Sequence, residues 1–165
     1  MVFWIFSEEG ITRAFEHGLS VPVQLPVGVA AGSLAALMIR FIAARPPVSG
    51  VLNDFYIYRT FLKVRLTTFD RIQLSLFAGT GEELLFRGAI QPLLGIWFTS
   101  VIFVAIHGYF SFKSTGHLLF GTIMLGLSLL LGFLFEYTGL IAAMSAHTIY
   151  DMIMLNSVKK KGSEL

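Results

Sequence analysis

The stretch from Ser75 to Gly88 reads SLFAGTGEELLFRG and contains two adjacent carboxylates, Glu82 and Glu83. Apart from these acids and Arg87, it is apolar enough to lie in a bilayer. An acidic residue at the centre of a membrane helix costs about 3 kcal/mol on insertion scales, so two in tandem need a specific reason. Arg87 follows Glu83 by four residues on the same helix face, which predicts a buried ion pair between them. Glu82 has no comparable partner on its own helix.

The composition indicates an integral membrane protein. Hydrophobic residues make up 55% of the 165 residues, charged residues 13%, and the mean hydropathy is +0.75. This is far more apolar than a soluble domain, and the length suits one compact helical domain. The chain has no cysteine, which excludes a disulfide framework and a thiolate zinc site. The opening residues do not have the basic region of a cleavable signal peptide.

The apolar segments predict an all-α fold, a polytopic membrane bundle of about five transmembrane helices. The predicted spans are residues 22–44, about 70–91, about 96–109, about 117–135 and about 140–158. Pro92 and Gly95 are the expected stop signals of the second span. The segments outside the spans are predicted to be an extramembrane or interfacial N-terminus at 1–21, a cytoplasmic or interfacial link at 45–70, and a basic cytoplasmic tail at 159–165.

Basic residues predict the orientation of the chain. Lysine and arginine occur in the first link, in the third link at Lys113, and in the C-terminal run, whereas the turn near Glu136 has neither. The positive-inside rule therefore places these links and the C-terminus in the cytoplasm, with the chain in a plasma (inner) membrane. Glu82 and His147 then lie near mid-bilayer at similar depths.

Four polar residues, Glu82, His107, His147 and Asp151, are expected to face one cavity that opens toward the cytoplasm. His147 and Asp151 are four residues apart, so both project from one face of their helix. Phe103 and His107 have the same spacing. An intramembrane histidine can simply bond a neighbouring helix, but an unpaired membrane carboxylate such as Glu82 is a candidate functional residue.

The other conspicuous residues have plainer interpretations. Small residues on the second and fifth spans, such as Gly79 and Ala142, predict close helix contacts that bring the polar faces together. His17 and His117 are expected at the membrane interface, because they lie outside or at the start of a span. The Phe103 side chain is expected to serve packing rather than cofactor binding.

Three motifs on successive helices resemble the CPBP family of intramembrane glutamic endopeptidases, which includes CAAX prenyl proteases and bacteriocin-processing or immunity proteins. The motifs are Glu82-Glu83-x-x-x-Arg87, Phe103-x-x-x-His107 and His147-x-x-x-Asp151. The resemblance covers residues 71–158, which would form the catalytic core. It implies an intramembrane endopeptidase without a metal or other cofactor.

The same resemblance implies a role for each motif residue. Glu82 with His107 would activate a water that attacks the scissile carbonyl, and His147 with Asp151 would stabilise the oxyanion. Glu83, Arg87 and Phe103 would support these residues.

Asp151 occupies a position where CAAX proteases have asparagine and bacterial relatives have either residue. An ionised carboxylate cannot donate a hydrogen bond to an oxyanion. Either Asp151 is protonated and donates, or it accepts from the ring N–H of His147 and orients the imidazole. Our expectation from the sequence is the second role.

The expected partners are a membrane-associated peptide or protein substrate, prenylated or not, and the lipid bilayer, with no nucleic acid. The sequence makes no prediction of the oligomeric state. Two alternatives stay open: a metal-dependent membrane hydrolase with Glu82, His107, His147 and Asp151 as ligands, and a non-proteolytic scaffold or immunity protein. The motif His-Glu-x-x-His, which would favour a metal enzyme, is absent.

The predicted orientation can be tested with single cysteines, because the chain has none of its own. Cysteines introduced at Lys63 and Lys160 should react with an impermeant thiol reagent only after the cytoplasmic side is opened. Labelling of either site from outside intact cells would show that the chain has the opposite orientation.

Overall fold

A computed structural model describes the backbone of residues 8–162 and the side chains of residues 12–157. The described residues are helical, with no strand beyond a single antiparallel bridge between Gly18 and Gly139. The α-helices are α1 (Glu8–Glu16), α2 (Val21–Ala43), α3 (Tyr56–Lys63), α4 (Thr68–Glu83), α5 (Gln91–Ile106), α6 (Thr115–Tyr137) and α7 (Leu140–Gly162). A short 3₁₀ turn covers Leu52–Asp54, and a π-helical segment, Leu84–Ile90, joins α4 to α5.

The structure confirms the predicted polytopic helical bundle. Within the described part of the chain, three helical stretches are long and apolar enough to cross a membrane: Val21–Ala43, Thr68–Ile106 and Thr115–Tyr137. All five predicted spans are helical, but α7 does not reach the same apolarity. The number of five spans therefore stays a prediction. The basic tail at 159–165 lies outside the residues whose side chains are described.

Of the two expected stop signals, Gly95 interrupts the helix and Pro92 does not. The kink within α5 lies at Gly95, with φ 76° and ψ 168°, a conformation that glycine adopts at little cost. Immediately before Pro92, the N–H of Gln91 bonds to the carbonyl of Phe86, five residues earlier. The hydrogen-bond register is thus already displaced where proline lacks a donor, so the proline is accommodated there.

Helix α7 is the central element and packs against both α2 and α4. Glycines on these helices allow the close approach. A Cβ added to Gly32 of α2 would lie 2.8 Å from Cα of Ala146, and one added to Gly79 of α4 would lie 2.7 Å from the backbone nitrogen of Thr148. Gly79 is one of the small residues predicted to allow close helix contacts, whereas the contact at Gly32 was not predicted.

A buried amide on α2 caps the start of α7. Oε1 of Gln24 accepts hydrogen bonds from the backbone N–H groups of Ile141, at 2.9 Å, and Ala142, at 3.2 Å. Its Nε2 donates to the carbonyl oxygen of Leu19 at 2.6 Å. The first N–H groups of a helix lack partners within the helix, and this contact satisfies two of them away from water.

Part of the link between α2 and α4 packs into the bundle. Val48, Leu52 and Phe55 are buried in the main apolar core. His117, which was expected at the interface, is also buried. Its Nε2 lies 3.2 Å from Oδ2 of Asp54, and its ring packs against that of Phe55. The first part of the link is therefore packed into the bundle, and the interfacial position of His117 stays a prediction.

His17 is exposed, in keeping with an interfacial position, and its Nε2 lies 3.0 Å from the carbonyl oxygen of Glu136.

The predicted ion pair between Glu83 and Arg87 is present and fully buried. Nη1 of Arg87 lies 3.0 Å from Oε1 of Glu83, and both side chains are 0% exposed. Nη2 of Arg87 donates to the carbonyl oxygen and hydroxyl of Ser128 on α6, at 2.8 and 2.9 Å. The guanidinium also lies 4.9 Å from the centroid of the Phe103 ring. One arginine thus connects α4, α5 and α6.

Replacement Arg87→Ala should destabilise the folded bundle by about 3–5 kcal/mol, because it leaves Glu83 buried without its cation. Unfolding of the purified protein in detergent measures the change, with Arg59→Ala at an exposed arginine as the control. Adding Glu83→Gln to Arg87→Ala should recover part of the loss, because it removes the uncompensated charge. Unchanged stability of Arg87→Ala would contradict a clamping role for the pair.

Candidate active site

The predicted site residues line one open cavity of about 330 Å³. Glu82, His107, His147 and Asp151 all reach its surface, from α4, the end of α5 and α7. Helix α3, from the link, forms another part of the wall. The remaining lining residues are Tyr56, Ile57, Thr60, Phe61, Ala78, Phe103, Val104, Tyr109, Met124, Leu127 and Tyr150. The fold thus brings together residues that lie up to 69 positions apart in the three motifs, from Glu82 to Asp151.

Glu82 and His107 face each other across the cavity. Oε2 of Glu82 lies 3.5 Å from Nε2 of His107, and the Glu82 side chain is 33% exposed. Nδ1 of His107 lies 2.7 Å from the carbonyl oxygen of Phe103. Since a carbonyl oxygen only accepts, Nδ1 carries the proton in this contact, which directs Nε2 toward Glu82.

His147 is held by Glu83, on the side of the ring away from the cavity. Nδ1 of His147 lies 2.8 Å from Oε1 of Glu83, the same oxygen that accepts from Arg87. The other ring nitrogen, Nε2, lies 4.0 Å from Oε2 of Glu82 and 3.7 Å from Oδ2 of Asp151. The protonated Nδ1 donates to the Glu83 carboxylate, so Nε2 is the nitrogen available to a ligand in the cavity.

The carboxylate within hydrogen-bond distance of a ring nitrogen of His147 is that of Glu83, not that of Asp151 as expected. Asp151 is on the same helix as His147, one turn later, and approaches the cavity-side nitrogen at a distance too long for a hydrogen bond. Glu83 comes from α4 and reaches the opposite nitrogen. The sequence showed the spacing of His147 and Asp151 but not which edge of the imidazole each helix would face.

Phe103 packs against both histidines of the cavity. Its ring is buried and stacks on His107, with the centroids 4.3 Å apart. It also meets the edge of His147 at 6.0 Å and the Phe86 ring at 4.9 Å. Together with the Arg87 guanidinium, these contacts fix the two histidine rings relative to each other.

Three features of the site were missed from the sequence. Tyr109 lines the cavity and lies parallel to His107, with centroids 5.8 Å apart and an angle of 10° between the rings. Its position two residues after a candidate histidine was a signal that could have been used. The other two are Ser128, which accepts hydrogen bonds from Arg87, and the cavity wall formed by α3. Neither has a local sequence signal, because both depend on how distant segments pack.

Within the described part of the chain, no three histidine, aspartate or glutamate side chains are grouped so that they could hold a metal ion.

Comparison with known proteins places the site within a described family. Residues 64–153, more than half of the chain, match the family model "Type II CAAX prenyl endopeptidase Rce1-like", and this range contains all three motifs. The uncharacterized protein YpbD of Bacillus subtilis (strain 168) is 36% identical over 89 residues. That alignment covers 53% of this chain but only 45% of YpbD, so the chain spans about half the length of this relative. No solved structure matches the chain.

The matched range starts just before α4 and ends within α7, so it includes every helix that supplies a motif residue. The protein is thus a member of the Rce1-like family of type II CAAX prenyl endopeptidases, in agreement with the resemblance of its motifs to the CPBP family.

Proposed function

We propose that this protein is an intramembrane endopeptidase that hydrolyses a peptide bond of a membrane-associated protein or peptide with a water activated by Glu82. The observation that carries the proposal is the position of Oε2 of Glu82, which faces Nε2 of both His107 and His147 in an open cavity. A partly exposed carboxylate between two imidazoles has access to water, and it can exchange a proton with it.

The first chemical step requires a base and a positioned water. Glu82 takes one proton from the water while the oxygen of that water bonds to the carbonyl carbon of the substrate. His107 holds the same water through Nε2, since its Nδ1 is engaged by the carbonyl of Phe103. The carbonyl π electrons move to oxygen, which becomes the oxyanion of a tetrahedral intermediate.

The oxyanion is stabilised on the other side of the cavity, by His147 and Asp151. Because Glu83 engages Nδ1 of His147, Nε2 can donate only when the ring carries both protons. Asp151 lies beside Nε2, so its protonated carboxyl can donate to the same oxygen. When the intermediate collapses, the proton held by Glu82 passes to the amine nitrogen as the C–N bond breaks.

Glu83 and Arg87 act as positioning residues rather than as reacting groups. Both are fully buried. Together with Phe103 they fix the orientation of the His147 ring and the position of the end of α4 that carries Glu82. Catalytic groups that are fixed before substrate binds need little rearrangement during the reaction.

The surroundings of the site support the proposed substrate class. Apolar side chains of α3, Ile57 and Phe61, lie beside the polar residues in the cavity wall. Such a wall suits a peptide that approaches from the membrane and carries an apolar segment or lipid group. The prenylated peptides in the name of the family are one candidate.

We place the protein in the plasma (inner) membrane, with the cavity open to the cytoplasm, as the basic links indicate.

Two other functions are separated from this one by simple measurements. A metal-dependent hydrolase would show metal in proportion to purified protein and lose activity with a chelator. A scaffold or immunity protein would keep its function when Glu82 is replaced by glutamine, because binding does not require a base.

Replacement Glu82→Gln should lower peptide cleavage by about 10²–10⁴-fold, because it removes the general base and keeps the size of the side chain. The measurement compares membrane proteomes of cells that express the wild type or the variant. Peptides that the wild type cleaves should remain uncleaved with the variant. Glu136→Gln, at an exposed glutamate of α6, is the matched control and should cleave normally. Cleavage by Glu82→Gln equal to that of the wild type would contradict the glutamic-protease mechanism, provided that both variants insert and purify alike.

Replacement Asp151→Asn should keep activity within a few-fold of wild type, whereas Asp151→Leu should lower it by about 10²–10³-fold. The asparagine N–H donates to the oxyanion without an added proton. The wild type should therefore lose activity as the pH rises and Asp151 ionises, and the asparagine variant should extend activity to higher pH. If asparagine were as damaging as leucine, the carboxylate itself would be required and Asp151 would act on His147.

A further inference from the structure

A second cavity, of about 730 Å³, lies at the end of the bundle that carries the basic link. It is formed by the C-terminal end of α2, the link, and the later turns of α7. It shares no lining residue with the catalytic cavity. Its lining residues are Leu37, Arg40, Phe41, Ala43, Ala44, Arg45, Leu52, Tyr58, Met154 and Ser157.

The charge of this cavity has one sign. Among the residues whose side chains are described, Arg40 and Arg45 line it and no acidic residue does. Across residues 12–157, neither arginine forms an ion pair with a carboxylate. Two guanidinium groups without a counter-ion at the end of an apolar helix favour an anionic ligand.

Arg45 is held in place before any ligand binds. Its Nη1 donates to the carbonyl oxygen of Phe41 at 2.8 Å, and its guanidinium carbon lies 3.3 Å from the centroid of the Phe41 ring. A guanidinium has five N–H donors, so this contact leaves others for a ligand. A fixed arginine loses less conformational entropy when it binds an oxyanion such as phosphate.

The same cavity continues onto an apolar surface. Leu37 and Phe41 are 57% and 61% exposed and lie one helical turn apart on α2. Helix α2 is one of the stretches long and apolar enough to cross a membrane, so this surface suits hydrocarbon chains. Tyr58 lies on the link, and partial burial raises the pKa of its phenol, which keeps the O–H as a neutral donor.

We propose that this cavity binds an anionic phospholipid, with the phosphate on Arg40 and Arg45 and an acyl chain along Leu37 and Phe41. Basic pockets between membrane helices can bind anionic headgroups. The adjoining apolar surface selects a lipid over a free phosphate, because only a lipid covers both parts of the cavity. The lipid connects the end of α2 to Met154 and Ser157 of α7.

The binding test uses the full chain purified in detergent and then incubated with phosphatidylglycerol or phosphatidylcholine. Native mass spectrometry counts the lipids retained by each protein molecule. We expect one phosphatidylglycerol to be retained and phosphatidylcholine to be lost at least ten-fold more readily. Equal retention of the two lipids would overturn the proposal, and this comparison needs no variant.

A pair of double variants locates the site. Arg40→Gln with Arg45→Gln should lower phosphatidylglycerol retention at least ten-fold. Arg59→Gln with Arg65→Gln removes the same charge from exposed positions that do not line the cavity, and it should leave retention unchanged. Equal losses in the two variants would show general attraction to a basic surface and overturn the proposal.

Free glycerol phosphate separates a lipid site from a phosphate site. We expect a millimolar excess to leave the bound phosphatidylglycerol in place, because it cannot cover Leu37 and Phe41. Full displacement by glycerol phosphate would show that the headgroup alone is bound, which would contradict the lipid assignment.

Discussion

The rest of the structure depends on the contacts that the buried carboxylate of Glu83 makes. One of its oxygens accepts from Arg87 at 3.0 Å and from His147 at 2.8 Å, and the residue is completely buried. Arg87 in turn binds Ser128 on α6. A buried charge is tolerated only with partners, so the acid requires α4, α6 and α7 to meet at this point. The same contact also fixes the ring of His147, for which we propose a catalytic role.

This contact explains why two glutamates stand side by side. Successive residues of a helix point about 100° apart, so adjacent acids face different surroundings. Glu83 points into the protein, whereas the Glu82 side chain is 33% exposed in the cavity. One carboxylate is thereby held inside the bundle, and the other is accessible in the cavity, where we propose that it acts as the base. The π-helical segment that begins directly after Glu83 belongs to the same region, and such segments often occur at functional sites.

Helix α7 joins the two cavities of the molecule. It presents His147 and Asp151 to the catalytic cavity, and Met154 and Ser157 to the basic one. Asp151 and Met154 are three residues apart, less than one turn of helix. The start of the same helix is capped by Gln24 of α2. The start of α7 is therefore tied to α2, and the lipid proposed for the basic cavity would add a connection near the other end of α7.

The sequence by itself determined the helical membrane class, the Glu83–Arg87 pair and the residues expected around one cavity, because hydropathy and a spacing of four residues are local properties of a helix. Only the tertiary structure decided that Glu83, not Asp151, meets Nδ1 of His147, and that the link enters the core and supplies α3 to the cavity wall. These features depend on the rotation and separation of helices that are far apart in the chain. No local pattern encodes them, since they arise when side chains from distant segments pack together.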